Sequence, residues 1–315
     1  MKESAPDLHE PVQTLRVTPL HHSGCVAIYD VRCRPSDFAR GPEEWSLTDQ
    51  IVFPRRGVFV HETRGQTIVA DANRALFFNC GETYRVAHPA CSGDDCTVFA
   101  FEAALLAEAV SEREPARGAG QGSPFRFTHA PSDDSVFALH ERLRHAALDA
   151  GGGELAIDEA AVQLLGALLG AAYRGRDPVP RRTRASTARA QHEQVERTSL
   201  FLATHLGEDL SLAAVARAVH SSPFHLARVF RREAGLSIHQ YRHRLRLRQA
   251  LVRIAEGELD LAALALTLGF ASHSHLTDSF RRAFGAPPSA YRKSLSAARL
   301  RELSRILEAP GRPRL

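Results

Sequence analysis

The sequence lacks the features of a disulfide-stabilised, exported or membrane-embedded protein. Its 315 residues include five cysteines, one methionine and one tryptophan. An odd number of cysteines argues against a complete disulfide framework and fits a reducing compartment. No apolar stretch approaches the length that spans a bilayer, and the N-terminus, MKESAPDLHEPVQ, has no apolar core of a signal peptide. We therefore expect a cytoplasmic protein without a membrane partner.

Lysine is also scarce, so almost all positive charge is arginine, and this charge is unevenly distributed. Residues 1–180 carry 17 Lys and Arg against 25 Asp and Glu, whereas residues 181–315 carry 23 against 11. The formal net charge of +4 therefore hides an acidic first part and a basic second part. A basic segment is the electrostatic signature of nucleic-acid binding, which should depend strongly on salt.

One segment occurs twice near the end of the chain, as Leu210–Arg242 and again as Leu259–Arg292. The first copy reads LSLAAVARAVHSSPFHLARVFRREAGLSIHQYR, and the second reads LDLAALALTLGFASHSHLTDSFRRAFGAPPSAYR. The copies match position by position, with one residue inserted at the turn of the second. This self-similarity indicates a duplicated structural unit.

Each copy is predicted to form two short helices around a turn. In the first copy, Ser211 caps a helix of apolar spacing, Pro223 suits the first turn of a second helix, and Gly235 ends it. The outer side of that second helix carries Phe224, Ala227, Arg228 and Arg231. Arg and small apolar side chains can read base edges in the major groove. One copy alone would fit an ordinary helical hairpin with a solvated face, but two copies favour a DNA-reading unit.

The second copy contains a long motif. It runs Ala265-Leu266-x-Leu268-Gly269-Phe270-x-Ser272, then His275-Leu276-x-x-x-Phe280-Arg281-Arg282-x-Phe284-Gly285, then Pro288-Ser289-x-Tyr291-Arg292. On this motif, residues 190–293 resemble the DNA-binding domain of the AraC/XylS family of bacterial transcription regulators. The resemblance implies two helix-turn-helix units joined by one helix, here Ser237 to about Glu256. At about 1.5 Å per residue that helix is about 30 Å long, close to the spacing of successive major grooves.

The resemblance also implies which side chains contact DNA. Carried over residue by residue, the set is Ser222, Phe224, His225, Ala227, Arg228 and Arg231 in the first unit and Ser272, Ser274, His275, Thr277, Asp278 and Arg281 in the second. Asp278 departs from the family pattern, because a basic or amide residue is common there and a carboxylate repels phosphates. Asp278 can accept a hydrogen bond from cytosine. We favour the alternative, in which the second unit positions the domain on the backbone while the first reads sequence.

The first hundred residues read as short strands that alternate with turn residues. The predicted strands are Cys25–Val31, Gln50–Phe53, Gly57–Glu62, Thr67–Ala70, Ala75–Asn79, Arg85–Ala87 and Thr97–Phe101. Within them, Asp71-x-x-Arg74-Ala75-Leu76-Phe77-Phe78 and Gly81-Glu82-Thr83-Tyr84 resemble the middle of a cupin-type effector domain. The predicted fold is therefore α+β, with an N-terminal cupin-like β-barrel carrying accessory helices and a C-terminal all-α domain with two helix-turn-helix units.

A small barrel with an apolar interior predicts a pocket for an unknown small-molecule effector. Metal-binding cupins usually place His where this chain has Tyr84, and no His-x-His pair precedes it. We therefore expect neither a cofactor nor an enzyme.

The predicted domain boundaries follow the changes in composition. They are a regulatory domain at 1–174, a linker rich in Arg and Pro at 175–190, a DNA-binding domain at 191–295 and a helical tail at 296–315. Helices are predicted at Glu102–Ser111, Ser132–Ala150 and Glu154–Tyr173. The segment 132–174 is a candidate homodimer interface, which suits paired half-sites in DNA, although it can equally cap the barrel of a monomer.

Four side chains of types that bind thiophilic metals lie close together in sequence: Cys80, His88, Cys91 and Cys96. Their types suit zinc or a redox sensor, but their spacing matches no standard zinc motif, and buried structural thiols are the default interpretation.

Together these patterns predict an effector-responsive, sequence-specific regulator, more often activating than repressing. Its expected partners are double-stranded promoter DNA and RNA polymerase in the nucleoid of a bacterial cytoplasm. The alternatives are a thiol- or metal-responsive regulator that uses the Cys/His cluster and a cupin-type enzyme fused to a DNA-binding domain.

Overall fold

The computed structural model describes residues 14–35, 40–89, 93–114, 122–149, 153–174 and 185–295. The strands are β1 (Thr14–His22), β2 (Val26–Arg34), β3 (Arg40–Trp45), β4 (Gln50–Gly57), β5 (Phe59–Thr63), β6 (Gln66–Ala70), β7 (Arg74–Phe78), β8 (Thr83–Ala87), β9 (Asp94–Phe101) and β10 (His129–Pro131). The helices are α1 (Ala103–Ser111), α2 (Asp134–Leu148), α3 (Glu154–Arg174), α4 (Ala185–Thr204), α5 (Leu212–Ala218), α6 (Pro223–Ala234), α7 (Ile238–Ala255), α8 (Leu261–Thr267), α9 (His273–Phe284) and α10 (Pro288–Lys293).

The strands form two antiparallel sheets. One has six strands in the order β1-β2-β9-β4-β7-β10, and the other has four in the order β3-β8-β5-β6. Side chains alternate between the two faces of a strand, so on β4 Ile51 and Phe53 face the helices, while Val52 faces the other sheet. The six-stranded sheet is therefore covered on both faces.

Each of the seven predicted strands overlaps an observed strand, and the β-rich N-terminal domain is confirmed. Cys25 and Asn79 lie just outside β2 and β7, and the predicted strand Gly57–Glu62 runs from the last residue of β4 into β5. Sequence reasoning missed β1, β3 and β10. The residues of β3, RGPEEW, are charged and largely exposed, so they show no apolar alternation. The strand β10 has only three residues and pairs with β7 at the edge of its sheet.

Helix α3 packs on α2 and lines the core of the N-terminal domain through Leu164, Leu165 and Leu168. It is the one helix among the described residues that is long and apolar enough to cross a membrane. This corrects the expectation that no apolar stretch approaches that length. Half of its most apolar window is buried inside the protein, as in the core helix of a folded domain.

Helix α2 lies between the two domains. Asp133 caps its first turn by accepting a hydrogen bond from the Val136 amide at 2.9 Å. Leu139 and Leu143 pack into the N-terminal core, whereas Phe137 and Ala138 pack into the C-terminal core. Apart from Leu148 at its end, which is 48% exposed, the apolar surface of α2 is occupied within the chain. Dimerisation through 132–174 stays a prediction, and it concerns mainly the outer side of α3.

A network of buried polar contacts joins α4 and α7 to the N-terminal domain. Glu196 accepts hydrogen bonds from Arg74 Nη1 at 2.6 Å and from the Val69 amide at 2.7 Å. The Tyr241 hydroxyl donates to Asp71 at 2.7 Å. Helix α4 begins at Ala185, so residues 185–190, predicted as linker, are helical, while 175–184 and the predicted tail 296–315 lie outside the described residues.

A second part of this network lies at the far end of α7. Arg55 is fully buried and pairs with Asp30 and, at 3.5 Å, with Glu256, the residue that ends α7. Arg248 is also fully buried and donates to the carbonyls of Ala72 and Ser132. Buried guanidinium groups require such partners because an unpaired charge away from water is costly.

Breaking this network should destabilise the protein. Burial tends to raise the pKa of Glu196, but the Arg74 guanidinium and hydrogen bonds outweigh it and lower that pKa. Glu196→Gln leaves Arg74 without its counter-charge, so we expect the free energy of unfolding to fall by about 3 kcal/mol. Glu193→Gln is the matched control, because its pair with Arg189 is exposed and contributes at most about 1 kcal/mol. Urea unfolding measures the stability of both variants, and an equal loss of unfolding free energy in the two would contradict the expectation.

His140 makes the folded state sensitive to acid. Its ring stacks on that of Phe53 with the ring centroids 4.4 Å apart. Neither ring nitrogen of His140 has a hydrogen-bond partner in the described part of the chain. Burial lowers the pKa of His140 to about 3; nearby Glu141 opposes this shift, and Arg55 and Arg144 add to it. The unfolded chain therefore takes up a proton below the ordinary value of 6.5 that the folded chain does not. Stability is complete above that pH and decreases as the pH falls towards 3.

His140→Phe should remove this contribution while keeping the aromatic stack. Between pH 6 and 4 we expect the slope of unfolding free energy against pH to decrease by about 1.4 kcal/mol per pH unit, the contribution of one proton. Urea unfolding at a series of pH values measures the slope, with His273→Phe, at an exposed position of α9, as the control. A His140→Phe slope equal to that of the unmodified chain would contradict the interpretation.

Candidate nucleic-acid interface

The two sequence repeats fold into two helix-turn-helix units with the same local devices. The first unit comprises α5 and α6, and the second comprises α8 and α9. Ser222 and Ser272 cap the second helix of each unit by accepting hydrogen bonds from the amides of His225 and His275. Gly235 and Gly285 end these helices with φ angles of 71° and 76°, in the left-handed region that favours glycine.

The interiors of the units also correspond. Phe230 contacts Tyr241 edge to face with ring centroids 5.3 Å apart, and Phe280 contacts Tyr291 in the same way at 5.6 Å. Next to each tyrosine is an arginine, Arg242 or Arg292, whose guanidinium binds backbone carbonyls before the first helix of its unit. The duplication inferred from sequence is therefore a duplication of structure.

Helix α7 joins the two units. Ser237 and Gln240 form a reciprocal capping box at its start, and Glu256 ends it, at the bounds expected from the sequence. Its 18 residues span about 27 Å.

The outer face of α6 holds unpaired positive charge. Phe224 is 81% exposed, His225 and Ala227 are partly buried, and Arg228 and Arg231 are exposed. Neither of these two guanidinium groups has a side-chain partner in the described ranges, whereas Arg232 is tied to Gln191 and Glu233. The face thus presents two available cations beside an exposed aromatic ring.

The outer face of α9 is different. Asp278 accepts a hydrogen bond from Arg281 at 2.9 Å, so the carboxylate and the guanidinium compensate one another. Ser274 is exposed, and the Thr277 hydroxyl lies 3.4 Å from His273 Nε2. The aspartate that departs from the family pattern therefore holds the arginine of its own helix.

Several predicted contact residues also have structural roles. Ser222 and Ser272 are the helix caps described above. The His275 ring lies against Phe270 and His243, with centroids 5.5 and 6.2 Å away. Burial, together with the positive charge that His239 and His275 can carry, lowers the pKa of His243 to about 4. Sequence reasoning missed His243, since it belongs to the connecting helix and contacts the second unit only in the folded chain.

A cavity of about 500 Å³ lies between the two sheets of the N-terminal domain. Its walls are mainly apolar, with some polar side chains among them, and include Val31, Val52, Phe59, Phe78, Tyr84 and Val98. The sole tryptophan, Trp45, lines the cavity and is 63% exposed. Leu15 and Leu47, which also line it, are exposed as well. The sequence predicted a pocket, but its lining comes from strands far apart in the chain.

The Gly-Glu motif of the N-terminal domain has a structural role. Glu82 accepts hydrogen bonds from Thr63 at 2.8 Å, Arg64 at 2.7 Å and Asn79 at 2.8 Å. Burial opposes ionisation, but these donors lower the pKa of Glu82. Its carboxylate stabilises the turn before β8, while Tyr84 of the same motif lines the cavity.

The three described members of the Cys/His cluster do not form one group, and the default interpretation as buried thiols holds for Cys96 but is wrong for Cys80. Cys80 is exposed and its thiol donates to the Leu47 carbonyl, and Cys91 lies outside the described residues. His88 and Cys96 share a partner, since they bind different oxygens of Asp94, at 2.6 and 3.1 Å. Cys33 joins His88 and Asp94 from another strand. Cys33 and Asp94 are far apart in sequence, so their spacing could not have identified them as members of one group.

Comparison with known proteins places the chain among helix-turn-helix proteins. A family model described as a helix-turn-helix domain matches residues 215–294. The regulatory protein PocR of Salmonella typhimurium is 28% identical over 96 residues, which cover 30% of this chain and 32% of PocR. The arabinose operon regulatory protein of Escherichia coli is 27% identical over 100 residues, covering 31% and 34% of the two chains.

The multiple antibiotic resistance protein MarA of Salmonella typhimurium is 32% identical over 92 residues, which cover 29% of this chain and 72% of MarA. The chain thus spans most of MarA but only about a third of PocR and of the arabinose regulator.

Proposed function

The chain belongs to the AraC/XylS family of transcription regulators, and from that premise we propose that α6 and α9 bind double-stranded promoter DNA under the control of a small molecule bound in the N-terminal cavity. The observation that carries this proposal is the outer face of α6, where Arg228 and Arg231 are exposed and available. The basic composition of residues 181–315 supports it, because phosphate binding requires positive charge.

The first unit reads the sequence. Arg228 can donate two hydrogen bonds to guanine, and Phe224 and Ala227 can contact a thymine methyl group. His225, on the same turn, is available to a base or phosphate. Arg231 lies one turn along α6 and binds the backbone.

The second unit positions the domain on the DNA. Ser274 and Thr277 can donate hydrogen bonds to phosphates, but Asp278 neutralises Arg281 and repels the backbone. His275 and Ser272 act mainly through packing and capping. This division of roles between the two units agrees with their exposed charge, since α6 presents available arginines whereas the Arg281 guanidinium of α9 is paired with Asp278.

Two substitutions separate the roles of the units. Arg228→Ala should cost about 1–3 kcal/mol on the cognate operator and abolish discrimination against other sequences. Asp278→Ala should free Arg281, tighten binding to any DNA and steepen the dependence of log K on log salt by about 0.9. Fluorescence anisotropy over a salt series, starting with the promoter DNA beside the protein's own gene, measures both effects.

Arg232→Ala is the matched control on α6, because its guanidinium is already bonded to Glu233 and Gln191. It should leave discrimination unchanged. Weaker non-specific binding by Asp278→Ala would exclude the proposed role of the second unit.

The cavity accepts a mainly apolar effector. Its volume of about 500 Å³ falls within the usual range for small-molecule sites. Gln50 and Tyr84 are among the polar side chains that line it, and the apolar part of the walls is built mainly from Val, Leu and aromatic side chains. Trp45 and Leu47 are exposed at the cavity, where a bound apolar molecule would cover them.

Strands β9 and β4 provide a physical connection from the cavity to α7. Cys96 lines the cavity and lies opposite Pro54 in the β4–β9 ladder. The next residues, Arg55 and Arg56, both pair with Glu256 at the end of α7. A ligand that shifts β9 and β4 thereby changes the position of α7, provided that it binds the two arrangements with different affinity.

Because Trp45 is the only tryptophan, its fluorescence reports directly on the cavity. Candidate apolar effectors that change this fluorescence should also change the affinity for promoter DNA. Glu256→Gln should keep the fluorescence response and reduce the change in DNA affinity, while Glu43→Gln, in an exposed pair with Arg85, should alter neither. An effector that perturbs Trp45 without any effect on DNA binding would contradict the coupling.

The family premise also implies activation through RNA polymerase. Dimerisation is proposed through α3, where Leu155 and Val162 are exposed and can pack against a second copy of the chain.

The alternative of a cupin-type enzyme is not favoured, because the carboxylate of Glu82 already accepts hydrogen bonds from three donors.

A further inference from the structure

At one end of the cavity, three metal-ligating side chains meet: Cys33, His88 and Asp94. One ligand atom from each lies within 4.8 Å of the others, and all three residues are buried. Cys33 and Asp94 are direct partners in the antiparallel β2–β9 ladder, so their side chains leave the same face of the six-stranded sheet. His88 follows β8 of the facing sheet. The donors therefore come from both sheets and meet between them.

We propose that Cys33, His88 and Asp94 bind a divalent transition-metal cation of the zinc class. Thiolate, imidazole and carboxylate are the three ligand types that Zn²⁺ takes in proteins, and a set of three leaves a fourth position open. Calcium and magnesium require oxygen ligands, of which this set supplies one carboxylate. The donor types thus select a borderline-soft cation.

The contacts around Asp94 orient its carboxylate towards the other two donors. His88 Nε2 lies 2.6 Å from one oxygen of Asp94, while the Cys96 thiol donates to the other at 3.1 Å. A carboxylate oriented by an outer hydrogen bond is typical of metal sites.

The backbone around the three side chains is closely packed, and the site is accessible. Gly93 has a φ angle of 66°, and a Cβ there would lie 2.2 Å from the Cys33 carbonyl oxygen. This close approach holds the start of β9 against β2, which fixes Asp94 relative to Cys33. All three ligands also line the cavity, so an ion can enter from it. Binding replaces the hydrogen bond between His88 and Asp94: the proton leaves His88 Nε2, for Nδ1 or for solvent, and the Cys33 thiol proton passes to solvent.

Cobalt titration of the full-length chain tests the site, because Co²⁺ occupies tetrahedral zinc sites and absorbs visible light. Reduced, chelator-treated protein should bind one Co²⁺ with a thiolate-to-cobalt charge-transfer band that added Zn²⁺ abolishes. Cys33→Ser should remove the band and raise the Kd by more than about 100-fold, whereas His88→Ala should raise the Kd similarly. Cys96→Ser, which removes only an outer hydrogen bond, should raise it by about 10–100-fold and retain the band.

Cys80→Ser is the control, since its exposed thiol lies outside the group, and it should bind Co²⁺ like the unmodified chain. Far-ultraviolet circular dichroism and Trp45 fluorescence confirm that each variant is folded, and Cys33→Ser exchanges a single atom. Failure of the unmodified chain to produce the charge-transfer band would overturn the proposal. Retention of the band in Cys33→Ser, or its loss in Cys80→Ser, would overturn it equally.

Discussion

Buried charges between the two domains are the constraint on which the rest of the structure depends. Arg55, Arg74 and Arg248 have almost no access to water, and each binds partners from the opposite domain. Removing ions from water costs several kcal/mol each, so the buried arrangement is stable only when every partner is in place. The domains therefore have one defined relative position. Because α7 carries Tyr241 and Arg248 in this interface, the helix that joins the two helix-turn-helix units is attached to the N-terminal domain.

The duplicated units show how the same core can carry two different surfaces. Phe230 and Phe280 are fully buried and pack on equivalent tyrosines, since close packing tolerates little change in volume. The exposed positions have no such restriction and have diverged. On α6 the guanidinium of Arg228 is available, whereas on α9 that of Arg281 is bonded to Asp278. Equal cores and unequal surfaces are the physical basis for assigning the units different roles on DNA.

Local signals explain how much of the fold was predictable. Apolar spacing, serine and aspartate caps and terminal glycines lie within a few residues of the structure they produce, so both helix-turn-helix units and seven strands could be recognised. The strands β1 and β3 lack such a signal, because their side chains are mostly exposed. The candidate DNA-binding set was likewise available from the repeat and the family resemblance. The packing role of His275 was not, because it depends on where the rings of Phe270 and His243 lie in the folded chain.

The long-range contacts required coordinates. Glu196 and Arg74 are separated by 122 residues, and Tyr241 and Asp71 by 170, so no periodicity connects them. The Cys/His cluster illustrates the same limit, since proximity in sequence grouped Cys80 with His88, whereas strand pairing brought Cys33 there instead. The amino-acid sequence by itself determined the duplicated basic domain, its family and the β-rich domain before it. Only the tertiary structure decided how the domains are joined, what lines the cavity and which donors meet, because sheet register and buried charge pairing act between residues that are distant along the chain.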